Sequence, residues 1–172
     1  MLLVSLPVGC SSDDGEPQTA QPAQKTFEMP TYRFTLPKGW TGDIDEDPAA
    51  HEGAGFRSDD EYRIHGNISR DPVDAAFAAS ARDRIVGIVE GHRGVANVLE
   101  IAEAEPLEFD IDGAKAWRTE AHFGSDTDSF RMLWVAFQHD AQDYVVTFEG
   151  KEPLAESDRA TFEELLRSWE WL

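Results

Sequence analysis

Cysteine is nearly absent from this chain: Cys10 is the only one among 172 residues. That excludes an internal disulfide and any cysteine-rich zinc site. Positive charge is scarce too, with 15 lysines and arginines against 34 aspartates and glutamates, a formal net charge of −19. Nucleic acids and anionic lipid surfaces are bound through clustered Lys and Arg, so this balance argues against both. No run approaches the roughly 20 apolar residues of a membrane-spanning helix. A Gly-x-Ser-x-Gly nucleophile elbow is missing, and Glu52–Gly55 has no Lys-Ser/Thr sequel, so neither that hydrolase signature nor a phosphate loop is present. His51, His65, His92, His122 and His139 show no paired helical metal spacing. No cofactor motif is found. What the chain does have, 41% hydrophobic and 10% aromatic residues, is enough for the core of one domain.

The lone cysteine has a telling context. Leu2, Leu3, Val4, Leu6, Val8 and Gly9 precede it, and Ser11, Ser12, Asp13 and Asp14 follow. A short apolar run, a small residue, one cysteine and a polar sequel resembles the lipobox of bacterial lipoproteins. That resemblance implies a diacylglyceryl group on the Cys10 sulfur, cleavage just before it, and attachment to the extracytoplasmic face of a cell membrane. Two acyl chains anchor stably where one does not. Pro7 stands where lipoboxes usually carry leucine, and residues 1–9 hold no Lys or Arg, which an export signal requires at its start. Residues 1–9 therefore read as a partial signal peptide whose basic region lies upstream of Met1. None of the negative charge lies in residues 1–9, so the processed form keeps it all.

Residues 11–29 are rich in Ser, Asp, Gln, Pro, Ala and Glu, with Phe27 the only aromatic. Such a stretch buries too little apolar area to offset its ordering entropy, so residues 10–29 read as a lipidated, disordered tether. Ordered structure is expected from Pro30, with a domain over 30–172. Tyr32, Phe34 and Leu36 alternate with polar residues as in a half-buried strand, Pro37–Gly39 turn, and Trp40 follows as an apolar plug. Thr41–Asp60 is an acidic, glycine-rich loop with a short strand around Ala54–Arg57. Ile64, Gly66 and Ile68 continue an alternation begun at Tyr62. Asp71 as cap and Pro72 as first helical residue predict a helix with the stripe Val73, Phe77, Ala81, Ile85 and Ile88, ending at Gly91 or Gly94. Strands are predicted at Val98–Ala104, Leu107–Ile111, Ala114–Phe123, Phe130–His139 and Tyr144–Glu149. A second helix starts near Ser157 and runs to the end, with Phe162, Leu165, Leu166 and Trp169 on one side.

Hairpin loops at Gly124–Ser129 and Gln138–Asp143 set the register. Phe123 then faces Phe130, Thr119 faces Trp134, Phe137 faces Tyr144, Val135 faces Val146 and Leu133 faces Phe148. The strand Phe130–His139 is apolar on both faces and belongs mid-sheet. With two amphipathic helices available, the fold class is α+β, an antiparallel β-sheet sandwiched between helices.

Both ends of the domain carry a family resemblance. Tyr32-Arg33-Phe34-Thr35-Leu36-Pro37-Lys38-Gly39-Trp40 resembles the opening of PsbP-like domains, and Leu165-Leu166-Arg167-Ser168-Trp169-Glu170-Trp171 resembles their close. With the lipobox and tether, the chain is most similar to the actinobacterial LpqN-type lipoproteins. The resemblance implies a non-enzymatic fold used for binding and no shared ligand.

Two groups of side chains are candidate sites. Asp43, Asp45 and Asp47, with Glu46 among them, space carboxylates as the start of a calcium loop does. Pro48 and Ala54 stand where such a loop needs glycine and glutamate, so no metal is assigned and the run reads as a solvated acidic loop. In the hairpin register His122 lies opposite Arg131, with Arg118 and Glu120 on the same face. These four form a candidate polar recognition patch, or else an ion-paired sheet edge. Trp40, Trp117, Trp134, Trp169 and Trp171 read as packing residues, with an aromatic groove for lipid or glycan as the alternative. The sequence thus points to a lipid-anchored binding or accessory lipoprotein with a cell-envelope protein as partner. The alternative is a carrier or sensor of a small amphipathic ligand, and a Ser or His hydrolase ranks last.

Overall fold

The computed structural model describes residues 24–45, 53–58, 64–74, 78–125 and 128–172. In chain order its elements are β1 (Thr26–Glu28), β2 (Tyr32–Thr35), β3 (Trp40–Asp45), β4 (Gly53–Ser58), β5 (Ile64–Pro72), α1 (Ala81–His92) and β6 (Val98–Ile101). There follow β7 (Glu105–Pro106), β8 (Ala116–Ser125), β9 (Asp128–His139), β10 (Gln142–Lys151), α2 (Glu156–Arg167) and β11 (Glu170–Trp171). They make a large antiparallel sheet in the order β3-β4-β5-β10-β9-β8-β6, with β7 also on β8, and a small one in the order β1-β2-β11. This is an α+β fold with a mostly antiparallel sheet.

The hairpin register follows the sequence reading pair for pair. Phe123 faces Phe130, Thr119 faces Trp134 and His122 faces Arg131, while Phe137 faces Tyr144 and Leu133 faces Phe148. The β9–β10 turn is only Asp140-Ala141, both in the left-handed region at φ 47° and 60°, a two-residue hairpin geometry that matches strand twist. β9 lies inside the sheet as its two apolar faces require. Val135 and Phe137 share a core with Phe162, Leu165 and Leu166 of α2. Trp134 and Ala136 share a second core with Ile85 of α1. Each buried large side chain contributes roughly 1.5–3 kcal/mol.

The two end motifs clasp one another. β11 pairs with β2, setting Trp171 opposite Tyr32, and the Trp169 ring stacks on Tyr32 at 4.3 Å and on Phe34 at 5.7 Å. Between them the Thr35 N–H donates to the Ser168 Oγ at 2.9 Å, and that hydroxyl lies 2.7 Å from the Leu165 carbonyl.

Six expectations need correction. Ordered chain begins before Pro30, because Phe27 in β1 faces Phe34 and stacks on it at 5.6 Å. The final helix stops at Arg167, since Trp169 and Trp171 turn back into the core over β2. The first helix starts nine residues later than Asp71 and Pro72 suggested, with Ser80 in place of Asp71 as cap. Those two extend β5 along Asp143 and Gln142 of β10, and the Ser80 Oγ accepts the Asp83 N–H at 3.2 Å. Of the predicted stripe Ala81 and Ile85 are buried, joined by Val89, whereas Phe77 lies outside the described residues. The strands predicted over 98–111 shrink to β6 and β7. Finally, the start of the acidic loop is a strand: β3 pairs with β4. Its tight fit explains Gly42, where an added Cβ would come within 2.9 Å of both the Gly55 carbonyl and the Phe27 ring. Trp40 is only half buried, stacked on Phe148 at 6.0 Å, rather than a full plug.

Candidate binding cleft

Side chains alternate along a strand, so Arg118, Glu120 and His122 of β8 share one face. The register sets Val135, Leu133 and Arg131 of β9 opposite them. α2 supplies Arg159, Phe162, Glu163 and Leu166 at helical spacing. A third wall comes from the segment 100–107, held over β8 by the Ala102 N–H on the Glu120 carbonyl at 2.8 Å and the Leu107 N–H on the Ala116 carbonyl at 2.9 Å. The Thr119 hydroxyl adds a bond to the Ala102 carbonyl at 2.8 Å. Together they enclose a cleft of about 280 Å³. Its floor is Leu133, Val135, Phe162 and Leu166, and its walls are charged.

Arg131, Arg159, Glu120 and Glu152 form one connected network, and Arg118 with Glu105 makes a separate pair. Arg131 donates through Nε to Glu152 and through a terminal nitrogen to Glu120. Arg159 holds both oxygens of Glu120, with one N–H bond at 2.9 Å. Glu152 also accepts the Leu154 N–H at 3.0 Å, and Arg118 donates to Glu105 at 2.8 Å. His122 Nε2 lies 4.0 Å from Glu152 and is buried without a hydrogen-bond partner among the described residues. Burial pushes the Glu120 carboxyl up, but the hydrogen bonds and charges of Arg159 and Arg131 outweigh it and hold the group below the usual carboxylate range. Burial likewise opposes the charge on Arg131, and Glu120 and Glu152 more than restore it. The Arg159 guanidinium is raised through its bond to Glu120. A carboxylate fixed in its ionised form is a poor general acid near neutral pH and a good rigid recognition element.

All four residues of the predicted patch line this cleft, which couples the two alternatives the sequence left open: the patch is ion-paired, and it borders a cavity. Sequence reasoning missed Arg159 and Glu152. Arg159, Phe162 and Leu166 stand at i, i+3 and i+7, so the helix stripe itself carried the signal for Arg159. No tryptophan is among the lining residues, whose only aromatic is Phe162. Asp43 is exposed on β3 opposite Gly55, Asp45 pairs with Gly53, and Asp47 and Cys10 lie outside the described residues. The described histidines go to different neighbours: His65 to Glu149 at 3.6 Å, His92 to Trp134 at 5.0 Å, His139 to Trp171 at 3.9 Å. Among the described residues no group of three or more His, Cys, Asp or Glu is placed to hold a metal ion, and no helix is long and apolar enough to cross a membrane.

No protein-family model and no curated protein matches the chain. Solved structures do match its fold. The cyanobacterial PsbP (CyanoP) of Synechocystis aligns with a TM-score of 0.61 at 15% identity, over 96% of this chain and 99% of that one. The Ran-binding protein Mog1p of Saccharomyces cerevisiae aligns at 0.54 and 9% identity, over 86% of this chain and 95% of its own. A Bacteroides thetaiotaomicron protein aligns at 0.54 and 11% identity over 82% of this chain, which spans only 45% of that protein's length. The chain thus has a PsbP/Mog1-like fold. LpqN of Mycobacterium tuberculosis, involved in cell envelope biogenesis, aligns at 0.46 and 8% identity over 87% of this chain and 90% of its own, too low to bear on kinship with that type.

Proposed function

We propose that this chain is an extracytoplasmic binding lipoprotein of the LpqN type, without catalytic activity. In this reading it is anchored through a diacylglyceryl group on Cys10, with a helix over each face of its sheet and the cleft beside α2 as its recognition site. The observation that carries the reading is the convergence of Arg118, Glu120, His122 and Arg131 on one cleft of about 280 Å³ with an apolar floor. The anchor rests on the lipobox-like residues Leu6 to Ser11. The Ran-binding Mog1p, built on the same fold, supports a binding role. The polar stretch after Cys10 gives the domain reach while keeping it at high local concentration near the membrane, where an envelope protein partner is met.

Fractionation of cells making the full chain tests the anchor. The wild type stays with the membrane and Cys10→Ser moves to the soluble fraction; a Cys10→Ser chain that stays in the membrane contradicts it. A second reading, a carrier of a small amphipathic ligand, is favoured by the enclosed shape and carbon floor of the cleft. A small molecule that co-purifies with the wild type and is absent when the floor is blocked by Leu133→Trp distinguishes it from the first.

A further inference from the structure

The cleft carries a preference of sign. We propose that it takes a cationic amphiphile, with an ammonium or guanidinium head among the carboxylates at its mouth and a short apolar stem on the Leu133–Phe162 floor. The inference rests on the reading of this cleft as the binding site and names the chemistry of what enters.

Every arginine lining the cleft is already bound to a carboxylate: Arg118 to Glu105, Arg159 to Glu120, Arg131 to Glu120 and Glu152. An incoming anion gains Arg131 or Arg159 only by displacing charge-assisted hydrogen bonds to part-buried Glu120 and Glu152, and Arg118 only by displacing Glu105, so it exchanges one bond for another and leaves a glutamate short of a partner. A cation meets the opposite situation. Five glutamates line the cleft against three arginines, and Glu152 adds a further carboxylate just behind Arg131. Glu100 has no ion-pair partner among the described residues, and it is exposed at the mouth. Glu103 and Glu163 are paired only at the surface, with Arg93 at 2.9 Å and Arg167 at 3.4 Å. Such exposed pairs are worth little and yield easily to a better-placed cation. The floor is carbon only, from Leu133, Val135, Phe162 and Leu166. A cleft of about 280 Å³ lies at the small end of the roughly 300–1,000 Å³ of ligand pockets, so it fits a compact molecule. The net charge of −19 draws cations toward the whole surface, and the cleft is where an apolar stem can also be buried.

Two probes of equal carbon number and opposite charge test the proposal: octylammonium and octanoate, titrated calorimetrically into the full chain at low salt. Octylammonium is expected to saturate one site and to bind at least about tenfold tighter than octanoate, with affinity falling as salt rises. Glu100→Gln combined with Glu163→Gln should weaken octylammonium severalfold at unchanged melting temperature, while Glu108→Gln, outside the cleft, leaves it unchanged. Octanoate binding as tightly, neither probe saturating, or octylammonium binding undiminished in the double variant overturns the proposal. Membrane retention through Cys10 is read separately, so a failure here leaves the anchor standing.

Discussion

At the scale of single residues, Trp169 ties the molecule together. It is 2% exposed, stacks on Tyr32 and Phe34 and meets Phe137 edge-on at 5.1 Å, so it links the small sheet to the large one. Trp40 belongs to the motif at the other end of the domain but is half exposed at the start of β3. Truncating a fully buried aromatic costs about 3–5 kcal/mol, and a half-buried one correspondingly less. Trp169→Ala should therefore lower stability in urea by about 4 kcal/mol and Trp40→Ala by about 2 kcal/mol or less. Equal losses would show that the stack over β2 is not the main tie.

At the scale of elements, the ion network fastens α2 to the sheet. Arg159 of α2 and Arg131 of β9 share Glu120 of β8, whose carboxyl is held below its ordinary value of 4.5. A carboxyl with a depressed folded-state pKa contributes stability that is fully present above its unfolded value and lost as pH falls through its folded value. The loss therefore sets in below about pH 4.5 and continues downward. Glu120→Gln should cost about 2 kcal/mol near neutrality, by leaving two part-buried arginines short of a counter-charge. It should also flatten that acid limb and speed amide exchange in the first turn of α2. An acid limb identical to the wild type would show that Glu120 does not fasten the helix.

The elements that were legible in sequence are those whose local signals agreed with their tertiary surroundings. The hairpins of β8, β9 and β10 combine alternating apolar residues with short turns, so their register and the Arg118–Arg131 patch follow from residue order alone. β3 was hidden because Gly42 occupies the position where alternation calls for a large apolar residue, and Phe27 fills that space from β1. Asp71-Pro72 reads as a helix start by local chemistry, but the pairing of β5 with β10 prevails there. Proline is tolerated because it is the last residue of the ladder. β1 and β11 are three and two residues long, too short for any periodicity to show.

At the scale of the whole molecule, the two faces of the sheet differ in kind. The face of β5 that bears Asn67 points away from the cleft and is polar and exposed, whereas the α2 side gathers the ion network and the carbon floor. Lipid on Cys10 would present that cleft at a membrane from a polar leash. The most direct check is photo-crosslinking in intact membranes, with a light-activated residue placed at Glu103 on the mouth of the cleft or at Asn67 on the other face. Intact-mass analysis then reads any adduct, whether a protein or a small molecule. Recognition through the cleft predicts a discrete adduct from position 103 and none from 67; an adduct from 67 with none from 103 would contradict it.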